Sequence, residues 1–278
     1  MSPKKTVLPL FFLAASILFF PRPLPAVESG EGSEGMQKGK IETCVYLKAE
    51  EFVWKEFEGG SRLLEESGPR YGLGIFRHYN GNGLTFRPMV EVYGGTVDYN
   101  GQTQGGFPFV TETNYLGGNA GFDAGGVITL TPAFYLEPFV GFGVEYWERD
   151  IESSGVGIGY RERWESYSAR GGLRGEAGSS SGGVRVFGEA ALKWPFANAN
   201  RADLPVIGKV KVRPEGELGW NTEAGIKAGP VRIAFFYEMV KFSKSDEIVV
   251  PIGGGLALLF WQPDSKYYVY GLTAGWLF

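Results

Sequence analysis

Between residues 115 and 128 the chain changes character at every second position. Leu116, Gly118, Ala120, Phe122, Ala124, Gly126 and Ile128 alternate with Tyr115, Gly117, Asn119, Gly121, Asp123, Gly125 and Val127. The same period of two runs from Leu136 to Tyr146, and from Val184 to Lys193, where Val184, Val186, Gly188, Ala190 and Leu192 face Arg185, Phe187, Glu189, Ala191 and Lys193. Alternation of this kind builds strands with one apolar face and one face of charge, amide and glycine. Read along the chain it predicts ten strands: residues 43–57, 70–79, 84–98, 113–130, 133–149, 160–176, 184–195, 217–228, 231–242 and 267–278. All ten run to ten residues or more, where strands of soluble proteins usually run about five or six.

The connections alternate in length as well. Short ones fall at 80–83, 131–132, 177–183 and 229–230, long ones at 58–69, 99–112, 150–159, 196–216 and 243–266. An all-β, antiparallel transmembrane barrel of about ten strands accounts for this rhythm, with short periplasmic turns and longer extracellular loops. Eight strands follow if the first pair is misread. Twelve require splitting the last loop, whose segments 256–261 and 267–270 flank a Pro-Asp-Ser-Lys turn. That pair is expected to form a hairpin above the membrane.

The N-terminus reads as an address. Lys4 and Lys5 precede an uncharged apolar run over 7–20, followed by Pro21-Arg22-Pro23-Leu24-Pro25-Ala26. A basic start, a short apolar run and a small residue after prolines fit a secretory signal peptide over 1–26, cleaved between Ala26 and Val27. The run is short of the roughly 20 residues that a spanning helix needs. Residues 27–42, rich in Gly, Glu and Ser, read as a disordered lead-in to a barrel over 43–278. Cys44 lies too far from the apolar run to be a lipidated cysteine.

The chain ends Tyr268-Val269-Tyr270-Gly271-Leu272-Thr273-Ala274-Gly275-Trp276-Leu277-Phe278. Tyr268, Tyr270, Leu272, Trp276 and Phe278 fall on every second or fourth residue back from a terminal Phe. This stretch resembles the closing strand of bacterial outer-membrane β-barrel proteins of Gram-negative type. The resemblance implies a place in the cell outer membrane, contact with outer-membrane lipid and lipopolysaccharide, and delivery by the barrel-assembly machinery, which reads those five residues.

Composition changes the picture in three places. The 43 glycines exceed the average share roughly twofold, and interior ones such as Gly141, Gly143, Gly172 and Gly225 are expected to relieve crowding in a small curved barrel. The formal charge is −4, and the acidic balance without any basic cluster argues against nucleic acid. One cysteine and one histidine exclude a disulfide framework, a multi-cysteine zinc site and a two-histidine mechanism.

The face opposite the apolar set is charged. It carries Arg87, Glu91, Asp123, Glu137, Glu145, Arg170, Arg174, Glu176, Arg185, Glu189, Glu223, Arg232 and Glu238, together with Lys48, Glu50, Lys193, Glu217 and Lys227. Signs are interleaved, whereas a selective pore shows a ring of one sign. A cross-paired network that fills the lumen is expected, with Phe76, Phe139, Phe187 and Phe236 adding bulk. Trp54, Trp147, Trp164, Trp194 and Trp220 fall near outer strand ends, where an interfacial girdle belongs, and Trp276 falls near the opposite rim.

Catalytic signals are thin. Gly178-Ser179-Ser180-Ser181-Gly182 matches G-x-S-x-G, but it is a polar turn with no later histidine. Gly155-Val156-Gly157-Ile158-Gly159 lacks the spacing of a phosphate cradle. His78-Tyr79-Asn80 departs from the His-x-Ser arrangement of lipid A deacylases at Asn80. The Asp-x-His element of the omptin surface proteases, another ten-strand group, is absent from the sequence. Glu65-Glu66 and Asp246-Glu247 read as solvated loop acids. The expectation is a non-enzymatic structural or surface-interaction barrel without a cofactor or metal, its surface partner unspecified. The alternatives are a narrow conduit for small solutes or apolar molecules, and a lipid-directed enzyme.

Overall fold

The computed structural model describes residues 40–278 apart from 103–105, 156, 179–182, 206, 254 and 255. The signal segment, its cleavage point at Ala26 and Val27, and most of the 27–42 lead-in lie outside these residues. So do the central serines of the 178–182 turn.

The described elements are all strands: β1 (Lys40–Glu58), β2 (Ser61–Gly81), β3 (Leu84–Gln102), β4 (Pro108–Gly126), β5 (Ile128–Thr131), β6 (Phe134–Ile151), β7 (Arg161–Gly178), β8 (Val184–Leu204), β9 (Gly208–Val212), β10 (Gly216–Ala228), β11 (Val231–Phe242), β12 (Ile248–Gly253), β13 (Leu256–Phe260) and β14 (Asp264–Leu277). Ten of them close into an antiparallel barrel in the order β1-β2-β3-β4-β6-β7-β8-β10-β11-β14. β14 pairs back onto β1 from Cys44↔Leu277 to Phe57↔Asp264. Closure leaves no free edge in the wall, so its backbone groups pair within the sheet. β5 continues β4 past a break at Val127, and β9 pairs β8 above the wall.

Two long connections of the sequence reading are instead extended wall. β1 and β2 run on to a two-residue turn at Gly59-Gly60, where both residues have positive φ (56° and 83°). That is the turn geometry whose twist suits a hairpin. β3 and β4 likewise pair up to Gln102↔Pro108. At the other end, Asn82-Gly83 makes the same kind of turn, with φ of 54° and 78°. The expected hairpin is also corrected. β13 pairs with β12, while 267–270 belongs to the barrel strand β14. The lead-in boundary shifts too, since β1 begins at Lys40 and takes in Glu42.

Outward positions divide the wall into zones. Leu47, Leu73, Val92, Val140, Leu192, Phe235 and Leu272 form an exposed apolar band. Above it run Tyr71, Tyr167, Trp194, Trp220 and Tyr270, and below it Phe134, Trp276 and Phe278. Amphipathic rings suit the headgroup level on both sides of a hydrocarbon core. Beyond the upper girdle the outward residues turn polar, among them Glu65, Asp98, Asp150, Arg161 and Arg163. The wall therefore stands well clear of the membrane on β1–β8.

Three tryptophans leave the predicted girdle. Trp54, Trp147 and Trp164 point inward and are buried, with the Trp147 and Trp164 rings stacked at 5.2 Å and Trp54 edge-on to Trp164. With Phe52, Leu64, Val97, Tyr99, Phe109, Ile151, Val240 and Phe242 they form an apolar core inside the part of the barrel above the membrane. There the exterior is wet, so the interior is where large rings lose most contact with water.

Candidate functional site

The candidate site is the lumen, and strand parity builds it. Inward positions on β1, β2, β3, β4, β6, β7, β8, β10 and β11 bring their charges to one axis, and four groups form along it.

Nearest the short turns, Glu176 receives Arg185 at 2.6 Å and Lys227 at 2.8 Å. Glu42 takes Lys227 at 2.6 Å, and Arg232 reaches Glu223 at 2.5 Å. The next group turns on Arg174, which touches Glu137 at 2.6 Å and both Asp123 and Glu189 at 2.8 Å. Arg170 shares Asp123 at 2.5 Å, and Arg87 shares Glu189 at 2.9 Å. His78 lies with its Nε2 3.2 Å from Glu137, whose other oxygen accepts from Thr85. Phenylalanines pack on the cations: Arg87 over Phe76, Arg174 over Phe139, and Arg232 over Phe187 at 4.2–4.5 Å. Burying charge is tolerated only when partners and hydrogen bonds replace water, which is what these contacts supply.

The middle group surrounds a cavity of about 200 Å³. Lys48 joins Glu50 and Glu91 at 2.7 Å, Arg70 holds Glu50 at 2.6 Å, and Lys193 lies between Glu238 at 3.0 Å and Glu145 at 3.4 Å. Tyr46, Tyr93 and Tyr267 donate their hydroxyls to Glu91, Glu145 and Glu238 at 2.9 Å. At about 30 Å³ per molecule, such a space holds a handful of waters.

The uppermost group lies above the membrane. Arg149 is fully buried among Glu162 at 2.7 Å, Glu66 at 3.0 Å and Glu56 at 3.3 Å. Trp54, Gln262 and Arg149 all donate to the same oxygen, Glu56 Oε1. Trp164 donates to Glu162, and Thr113 and Tyr115 donate to Glu66. Burial pushes the Glu56 carboxyl up from its ordinary range, against the lowering influence of Arg149.

All thirteen residues read from the sequence as the charge network face this interior and take part in the groups above. Glu217 does not: a register shift between Glu217 and Trp220 leaves it exposed, accepting from Ser243. Sequence reasoning missed Glu56, Glu66, Arg70, Arg149 and Glu162, although each keeps the inward parity of its strand. Of the interior glycines, Gly141, Gly172 and Gly225 stand where close approach demands them, a Cβ at Gly225 coming within 2.1 Å of the Ile233 carbonyl. A Cβ would come within 2.3 Å of Asp123 Oδ1 at Gly141, and of the Ala190 carbonyl at Gly172. Gly143, beside the cavity, has more room. Tyr268, Tyr270, Leu272, Trp276 and Phe278 lie on the outward side, and Phe278 N–H donates to the Thr43 carbonyl at 2.9 Å. Among the described residues, no cluster of His, Cys, Asp and Glu could hold a metal ion.

No family model matches the chain, and no curated protein matches it in sequence. Solved structures do. The chain is similar to the outer-membrane protease OmpT of Escherichia coli, with a TM-score of 0.53 and 12% identity over 86% of this chain and 96% of that one. It is also similar to the toluene transporter TbuX of Ralstonia pickettii (TM-score 0.41, 9% identity, 85% and 88% covered). A third is Ail, the attachment invasion locus protein of Yersinia pestis (TM-score 0.32, 12% identity, 86% and 99% covered). At such identity the likeness to OmpT speaks to the fold alone. A closed ten-strand wall, an outward apolar band between aromatic girdles, and this shared fold identify the chain as an outer-membrane β-barrel.

Proposed function

We propose that this barrel is a sealed, non-enzymatic scaffold of the outer membrane that works through the surface it raises above the lipid. One observation carries the reading: charge groups interlock along the lumen and leave a central cavity of about 200 Å³. The cross-bridging runs between distant strands, as from Arg87 on β3 to Glu189 on β8. A solute crossing this axis would have to part several paired charges in succession, each at a cost of desolvation. Porins leave a water-filled channel with about 16 strands, and ten lie close to the size at which side chains fill the interior. The buried carboxylates near the mouth favour the same reading, since Glu56, Glu66 and Glu162 already accept from Arg149 and from donors in the wall.

Planar-bilayer recording on the purified barrel tests this. Wild type is expected to give no stable steps of porin size. A large, steady conductance in the unmodified protein would overturn the scaffold and install the conduit in its place.

A further inference from the structure

Above the upper girdle, β7, β8 and β9 carry a row of outward cations. Arg163 pairs in register with Arg201, and Arg201 with Lys211. Like charges directly opposite one another destabilise a sheet, so each calls for an anion. Two of them have one: Arg163 reaches Glu148 at 3.0 Å, and Arg201 grips both oxygens of Glu165 at 2.5 and 3.1 Å. Lys211 and Arg213 are exposed and form no ion pair among the described residues.

These two residues line an open groove of about 710 Å³ on the outer surface. Its floor is aromatic: Tyr167, Trp194 and Phe196 are exposed, with the Trp194 and Phe196 rings 5.9 Å apart. The segment 213–216 is fastened beside β8, where Trp194 donates to the Gly216 carbonyl and Asn198 to the Pro214 carbonyl, both at 3.2 Å. Below Trp194 the same strand enters the apolar band at Leu192. Arg213 follows the Val212↔Asn200 pair. About five residues of tilted strand, at about 3.3 Å each, place it ~12 Å above Trp194. A long side chain there reaches the headgroup layer just outside the rings.

We infer that this groove seats the phosphate of an anionic lipid of the outer leaflet, with Arg213 and Lys211 on the phosphate and the three rings against its upper chains. Arginine and lysine both bind phosphate, and aromatic rings suit the boundary between headgroup and chain. A free anion would use the cations and leave the rings idle, whereas a lipid uses both. Glu215, the remaining carboxylate of the groove, has no cation among the described residues and works against an anionic occupant. The groove lies outside the wall, so it serves a sealed and an open barrel alike.

Native mass spectrometry of the folded barrel in detergent, titrated with phosphatidylglycerol or with phosphatidylcholine, tests this. Gel mobility without boiling serves as the folding control. Wild type is expected to retain one phosphatidylglycerol at concentrations where phosphatidylcholine is lost. Lys211→Gln together with Arg213→Gln should weaken that retention about 30-fold, and Glu215→Gln should tighten it several-fold. Lys55→Gln, which removes an outward cation paired with Glu65 elsewhere on the wall, should leave it unchanged. Equal retention of the two lipids, equal losses from the double variant and Lys55→Gln, or a Glu215→Gln barrel that holds lipid no better would each overturn the site. So would displacement of phosphatidylglycerol by inorganic phosphate at matched concentration, which would make the groove a site for free anions.

Discussion

Arg174→Ala puts the lumen network to its most direct test. The side chain is 10% exposed and joins Asp123, Glu137 and Glu189, carboxylates from three different strands. Removing one partner of a buried pair costs about 3–5 kcal/mol, because a charge is left behind without water. Each carboxylate here keeps something: Asp123 retains Arg170, Glu189 retains Arg87, and Glu137 retains Thr85 and His78. The lower end, about 3 kcal/mol, is therefore expected. With a urea slope of about 2 kcal/mol/M, that moves the unfolding midpoint down by about 1.5 M. The assay is reversible urea unfolding of the barrel in thin-bilayer vesicles, followed by tryptophan fluorescence and by gel mobility without boiling. Arg201→Ala supplies the comparison. Its guanidinium is 42% exposed and pairs with Glu165 on the outer surface, so screening by water should hold the loss to about 1 kcal/mol or less. Changing Arg170 together with Arg174 should also raise conductance above the wild-type baseline. If Arg174→Ala and Arg201→Ala lower the midpoint equally, the interior charges are not acting as buried ones and the reasoning fails.

Three further outcomes follow from the geometry. Trp164→Ala, which removes the ring between Trp54 and Trp147, should cost about 3–5 kcal/mol in the same unfolding assay, and Trp220→Ala on the lipid side clearly less. Equal losses would place the two rings in equivalent surroundings, against the structure. Glu56 has its carboxyl raised by burial, so its contribution to stability is complete below the ordinary carboxylate pKa and fades as pH climbs through the folded value. Glu56→Gln keeps the oxygen that accepts from Trp54, Gln262 and Arg149. The variant should lose that decline, which begins as pH rises past the ordinary carboxylate range, and an unchanged pH profile would show that Glu56 does not titrate in the folded barrel. Deleting Phe278 should lower the yield of assembled barrel in cells, whereas trimming the lead-in over 27–39, with the signal segment kept, should not. Equal yields would remove the assembly role from the terminal strand.

Much of this arrangement was legible from parity. Arg185, Glu189 and Lys193 alternate with Val186, Ala190 and Leu192, and that alone sent the charges inward. The same parity persists above the membrane, but the meaning of polarity reverses there. Outward residues become Glu65, Asp98 and Asp150, while inward ones become Leu64, Val97 and Ile151. A rule that stops a strand where its outward face loses apolar character ends β2, β3 and β4 too early. It consigned Glu66 to a loop and sent Trp54, Trp147 and Trp164 to the lipid interface. Counting every second residue through to Gly59-Gly60 keeps Glu66 inward with Arg70 and Phe76. The partners within the lumen were beyond reach of sequence, because Arg87 and Glu189 meet across the barrel axis from strands that are not neighbours.

The joint between β1 and β14 governs how such a chain reaches its final form. It unites Cys44 with Leu277, almost the full separation that the described chain allows. Neighbouring strands can zip as local hairpins, but this joint has to await the arrival of the last strand, and long-range pairing slows folding. Until then both terminal strands carry open edges, which the hydrocarbon does not tolerate. Partly built walls should consequently be short-lived in the bilayer, and the completed ring should come apart slowly, with loss of this one joint as the step that sets its lifetime.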